Sequence, residues 1–185
     1  MTLGHLSELG RLAERCAVEL AEPVRRYTEL VRATLAAGRT VFFAGNGGSA
    51  AHAQHIATEY VVRYLPVKRK AAAVLALSTD SSLVTAAAND IGFDQVFARQ
   101  VEAHGRNGDL LVLVSTSGNS PNLVHAAQAA RAAGVTTVGL LAGGGGPLKD
   151  VVDLVILVPT DDGAHAQEIQ LAIDHYVCSQ IEPGL

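Results

Sequence analysis

Hydrophobic positions in this chain change their period several times, and each change marks an element. Over residues 5–36 apolar side chains recur every three or four residues, with an interruption at Pro23. That spacing predicts two helices, over about 5–21 and 24–37. TVFFAG (40–45) is a short β-branched and aromatic run that stops at glycine, and a helical pattern follows over about 49–64. AAAVLALS (71–78) predicts a second strand, SLVTAAAND (82–90) a short helix, and 95–104 another helix. DLLVLV, opening at 109, predicts a third strand that ends in a polar turn, followed by a helix over about 121–133. VTTVGLLAG (135–143) and DLVILVP (153–159) give the fourth and fifth strands, and a helix over about 165–181 closes the chain.

These strands are almost uniformly apolar, the pattern of strands covered on both faces. Alternating with helices, they predict an α/β fold: a three-layer, five-stranded parallel sheet with helices on both faces. At 185 residues a single domain is expected, with the helices of 1–37 added to it and available for a subunit interface.

Composition narrows the function. Hydrophobic residues make up 49% of the chain and charged residues 17%, which excludes wholesale disorder. A net charge of −4 and a pI near 5.9 lack the basic footprint of a nucleic-acid binder. The basic cluster RYLPVKRK (63–70) reads as a solvated loop, with a phosphate-steering rim as the alternative. Cys16 and Cys178 are far apart and are expected to be free buried thiols of a reducing compartment. The N-terminus shows no export-signal pattern, and no apolar run reaches membrane-spanning length, so a cytoplasmic protein is expected.

Two turns carry the candidate chemistry. AGNGGS (44–49) and STSGNS (115–120) each follow a strand and open a helix, which suggests two related halves. In sheets of this kind ligands bind beyond the carboxyl ends of the strands. STSGNS supplies Ser115, Thr116, Ser117 and Ser120 beside the free N–H groups of a helix start, a good site for an anion. It contains no lysine or arginine, so a phosphate monoester fits better than a magnesium triphosphate, and the P-loop pattern fails. Part of the motif is explained by helix capping alone, with Ser120 as the cap and Pro121 at the first helical position. In AGNGGS the glycines at 45, 47 and 48 allow close backbone approach to a ligand, and Asn46 and Ser49 can bond sugar hydroxyls.

Behind that turn, His55 and Glu59 are four residues apart and share a helix face, with His52 nearly on it. An imidazole and a carboxylate so placed suit zinc or acid–base work equally. The last helix offers Gln167, Glu168 and His175. Amid Ile173, Val177 and Cys178, His175 reads from its neighbours as a core histidine.

Four separated stretches, GNGGSAAHAQHIATEYVVRY, LSTDSSLVTAAANDIGFDQVFARQ, GDLLVLVSTSGNSPN and AQEIQLAIDH, occur in order between about 40 and 178. Together they resemble the sugar isomerase (SIS) fold, and within it the sedoheptulose 7-phosphate isomerases, or phosphoheptose isomerases. The resemblance implies a homotetramer with sites at subunit contacts that interconverts a ketoheptose phosphate and an aldoheptose phosphate. It implies zinc on His55, Glu59, Gln167 and His175, with Glu59 and His175 as the acid–base pair. It places phosphate on Ser115, Thr116, Ser117 and Ser120, and Asn46, Gly47, Ser49, Arg63 and Asp90 around the sugar, which Glu59 and Gln167 also reach. Gln167 and His175 are eight residues apart, about 12 Å along a straight helix. Both reach one ion only if Gln167 lies at or before an irregular helix start, or if ligands come from different chains.

The chain departs from the family at four positions. His52 replaces a usual aspartate and is an alternative ligand. Ala164 and His165 stand in a stretch that usually contains arginine, and Gln170 replaces a common histidine. Relatives of this fold also include tetramers that bind a replication initiator, sugar-phosphate sensors, and isomerases of other phosphosugars. The initiator-binding relatives lack the carboxylate that this chain keeps at Glu59.

Overall fold

A computed structural model describes residues 3–66 and 68–185. Five strands, β1 (Val41–Gly45), β2 (Val74–Ala76), β3 (Leu110–Ser115), β4 (Thr136–Ala142) and β5 (Leu154–Val158), form one parallel sheet in the order β2-β1-β3-β4-β5. Seven α-helices accompany them: α1 (Gly4–Glu19), α2 (Ala21–Ala36), α3 (Gly48–Val61), α4 (Ser81–Asp90), α5 (Val96–His104), α6 (Pro121–Ala132) and α7 (Gly163–Ile181). No helix among the described residues is long and apolar enough to cross a membrane.

The uniformly apolar strands do what their composition requires, because successive side chains serve two cores. Val41 and Phe43 join Leu110, Val112, Tyr27, Ile56 and Val177 on one face, under α2, α3 and α7. Phe42 and Ala44 join Leu111, Leu113, Phe97 and Leu123 on the other, under α5 and α6. Every residue of β1 and β3 is buried, so neither strand has a solvent face.

Two boundaries differ from the sequence expectation. The break between the first helices falls at Leu20, and Pro23 lies inside the first turn of α2. Proline is tolerated there because the opening N–H groups of a helix have no intrahelical acceptor. Helix α7 starts at Gly163, two residues earlier than expected, because the Asp162 carboxylate accepts from the N–H groups of Ala164 and His165. Gln167 therefore lies within a regular helix. Both cysteines are free and buried, as expected.

The basic stretch at 63–70 is only partly a solvated loop. Arg69 and Glu182 form an ion pair at 2.7 Å with side chains 3% and 2% exposed. Glu182 also accepts from the backbone N–H groups of Tyr64 and Leu65. Burial pushes its pKa up, but these donors and the guanidinium outweigh it and hold the carboxyl below its ordinary range.

Candidate active site

Connections from β1 lead to β2 on one side, whereas β3, β4 and β5 extend the sheet on the other. The winding direction thus reverses between β1 and β3, which creates a crevice beyond their carboxyl ends. Gly45 pairs with Val114, so the two glycine-containing turns emerge side by side at the same height. Asn46 and Asn122 join them, each side-chain amide donating to the other's oxygen at 2.9 Å. Sequence reasoning missed Asn122; the available signal was a second buried-type polar residue directly behind the serine turn.

In the serine turn, Ser115 Oγ accepts from Gly118 N at 2.9 Å and Ser117 Oγ from Asn119 N at 3.3 Å. These bonds shape the loop from within. Ser120 occupies the cap position of α6, with Pro121 next, yet its hydroxyl makes no capping bond. Capping thus does not account for that hydroxyl, which remains free for a ligand at the positive end of the helix. Gly118 is required here: its φ is +66°, and an added Cβ would lie 1.9 Å from Gly145 O. The four-glycine run at 143–146 packs directly against the turn.

A second cluster forms where α3 meets α7. His55 Nε2 lies 2.9 Å from His175 Nε2 and 3.4 Å from Glu59 Oε1. Ligand atoms of these three residues all lie within 4.8 Å of one another. Tyr64 stacks on the His175 ring at a centroid distance of 5.4 Å. Burial, and then the neighbouring His55, push the His175 pKa below the usual imidazole value. His175 is half-buried and faces this cluster, so it is not the core histidine its neighbours suggest. Asp174 takes the core position instead. Two imidazole nitrogens and a carboxylate facing one point are a donor set that fits zinc.

Gln167 lies elsewhere within the chain. Its amide rests on the start of α3, where a Cβ on Gly48 would come within 2.7 Å of both Oε1 and Nε2. The glycine turn thus admits this side chain because residue 48 has none. Gly47 caps α3, and Ser49 is buried in the first turn. Arg63 is exposed just beyond α3. Asp90, at the end of α4, accepts from the Asn89 amide and lines a cleft with Arg99, Gln100 and His104. Neither Arg63 nor Asp90 is hydrogen-bonded to the two turns among the described residues of the chain.

His52 is not a ligand alternative. Three residues turn a helix by about 300°, and the remaining offset points this ring into the core. Its Nε2 lies 2.7 Å from Asp174 Oδ2, and Tyr27 OH donates to Asp174 Oδ1 at 2.7 Å. Gln170 is fully buried and donates to Leu140 O at 2.9 Å and Ser115 O at 3.3 Å, tying α7 to the base of the serine turn. Ala164 is exposed at the start of α7, whereas His165 is buried beside α1.

The doubly covered sheet with paired turns at its reversal is an architecture shared with known proteins. The SIS domain family matches residues 5–142. A phosphoheptose isomerase of Rhodospirillum rubrum is 47% identical over 170 residues, covering 92% of this chain and 88% of the relative. The solved phosphoheptose isomerase of Neisseria gonorrhoeae superposes with a TM-score of 0.90 at 36% identity, covering 97% of this chain and 96% of that one. That of Francisella tularensis gives 0.94 at 29% identity, covering 97% and 95%. The chain belongs to the SIS domain family, among the phosphoheptose isomerases.

Proposed function

We propose that this chain converts D-sedoheptulose 7-phosphate to D-glycero-D-manno-heptose 7-phosphate through an ene-diol. The observation that carries this reading is the meeting of Glu59 and His175, from helices 116 positions apart in the sequence, behind a turn at the reversal of the sheet. Relatives nearly half identical over nine-tenths of the chain support it.

Isomerisation needs a base that moves a proton between C1 and C2, and an acid that serves the carbonyl oxygen. Glu59 takes the first role. Its half-buried carboxylate lies 3.4 Å from His55 Nε2. His175 takes the second: its depressed pKa leaves a neutral ring that passes a proton between the sugar oxygens. The phosphate rests on Ser115, Thr116, Ser117 and Ser120, held by neutral donors and the α6 dipole. Asn46, Gly47, Ser49 and Gln167 border the sugar at the other turn. Arg63 and Asp90, on the surface of one chain, belong to the rim where subunits meet. Zinc, held by His55, Glu59 and His175 with Gln167 reaching it from a neighbouring subunit, would supply a Lewis acid for the carbonyl oxygen.

The proposed assembly is a homotetramer in the cytoplasm. It is supported by an apolar groove of about 400 Å³ between α1, α2 and α7, lined by Cys16, Leu20, Val24, Ile173 and Tyr176. Val18, 79% exposed, lies on α1.

The test is turnover of sedoheptulose 7-phosphate by the zinc-loaded chain, followed by proton NMR in deuterated buffer. Aldoheptose phosphate carrying solvent deuterium at C2 is the expected result. No turnover, with fructose 6-phosphate also inert, would replace this reading with a sugar-phosphate sensor or binding tetramer.

A further inference from the structure

A second cluster of metal-ligand type lies outside the site described above. His5, in the first turn of α1, meets His165 and Glu168, in the first two turns of α7. One ligand atom from each lies within 4.8 Å of the other two. The His5 and His165 rings stack at 4.1 Å with an interplanar angle of 30°. His165 is 5% exposed, and its Nε2 lies 3.1 Å from the His5 carbonyl oxygen.

We propose that His5, His165 and Glu168 bind a late first-row divalent cation such as zinc. Three features support this. The donor set, two imidazoles and a carboxylate, is that of zinc sites. His5 Nε2 lies 3.4 Å from Glu168 Oε1, long for a hydrogen bond. Ligand bonds of 2.0–2.1 Å in a tetrahedron place neighbouring donor atoms roughly 3.3 Å apart, close to that spacing. The third feature is orientation. His165 is held against α1 by burial, while His5 and Glu168 are exposed and free to adjust, the His5 ring turning out of its stack to aim a nitrogen at the ion.

This site is distinct from the His55 cluster. Glu168 and His175 are seven residues apart on α7, about 10 Å along its axis. An ion bound here cross-links two segments 160 residues apart and fixes the first turns of α7. Those turns carry Gln167 over Gly48, so occupancy acts on the sugar site by positioning.

The experiment uses the full-length, tag-free chain carrying Glu59→Gln and His175→Ala, which disables the first cluster. After equilibrium dialysis against zinc and metal analysis, this variant is expected to retain about one ion per chain and to melt at a higher temperature with zinc than without. Adding His5→Asn, at an exposed position that leaves the fold intact, is expected to weaken zinc binding about tenfold or more and to abolish the melting shift. His165→Ala is expected to do the same, with circular dichroism reporting its folding. Failure of the first-cluster variant to retain zinc at micromolar concentration would overturn the proposal. So would unchanged zinc binding on His5→Asn. These readouts do not depend on turnover, so they stand or fall separately from the isomerase reading.

Discussion

His55 and His175 bring their Nε2 atoms to 2.9 Å across 120 residues of sequence, with Glu59 Oε1 3.4 Å from the first ring. The pair exists because α3 and α7 pack on the same face of the sheet, anchored by the buried contact of His52, three residues before His55, with Asp174, one residue before His175. Replacing Glu59 with glutamine keeps the shape and removes the proposed base. Turnover is expected to fall about 10²- to 10⁴-fold, the usual worth of a positioned general base. In the zinc-free chain the melting temperature should barely move, since Glu59 makes no buried ion pair. Loss of C2 deuteration with an unchanged circular dichroism spectrum would confirm this, whereas full activity would remove Glu59 from the mechanism.

Asn46 and Asn122 satisfy one another across the two turns. Asn122→Ala leaves the Asn46 amide without its partner, at an expected cost of about 1–3 kcal/mol. The Asn46→Ala, Asn122→Ala double variant should lose less than the sum of the single variants. A urea-denaturation cycle measures the coupling, and strict additivity would show that the pair is not a structural link.

Ser115 and Ser120 look equivalent in the sequence but differ in the structure. Ser115→Ala removes the acceptor for Gly118 N and is expected to cost about 1 kcal/mol of stability. Ser120→Ala removes a hydroxyl that caps nothing, so stability should hold while KM for the sugar phosphate rises. Thermal melts beside steady-state kinetics separate the two. If Ser120→Ala melts early with an unchanged KM, its hydroxyl has a structural role only.

Glu182 gives a pH-dependent term of known sign. Its carboxyl pKa is lowered in the folded chain, so its stabilisation is present above the ordinary carboxylate pKa and is lost as pH falls through the folded value. Glu182→Gln leaves Arg69 buried without a counter-charge and is expected to cost about 3–5 kcal/mol at neutral pH. In acid the gap between wild type and variant should narrow. Urea midpoints at neutral and acidic pH check this, and a constant gap would contradict it.

Much of this protein is legible in its sequence, for local reasons. The central strands β1 and β3 are buried on both faces and so apolar at nearly every position, and the edge strands are apolar as well, which is why all five were found without their partners. The serine turn was visible because hydroxyls clustered where a strand meets a helix exceed what capping requires. His55 and Glu59 were paired by helical spacing alone. Boundaries slipped where a short-range effect governs them, as with Pro23 in an opening turn and the Asp162 cap.

Tertiary structure decided what each polar side chain faces. His52 and His55 are neighbours on one helix, yet one meets a buried carboxylate and the other an exposed cluster, because the direction of the core is set by distant strands. The same holds at Asp174 and His175, where consecutive residues divide between core and site. Arg69 belongs to a run that looks solvated, and only the return of the chain at Glu182 buries it. The sequence by itself determined the elements, their order and the residue types at the strand ends, since those follow from periodicity and local propensity. Which turns lie side by side, which amides bond across them and which histidines converge depend on strand order and helix packing, contacts between residues far apart in the chain that no local pattern encodes.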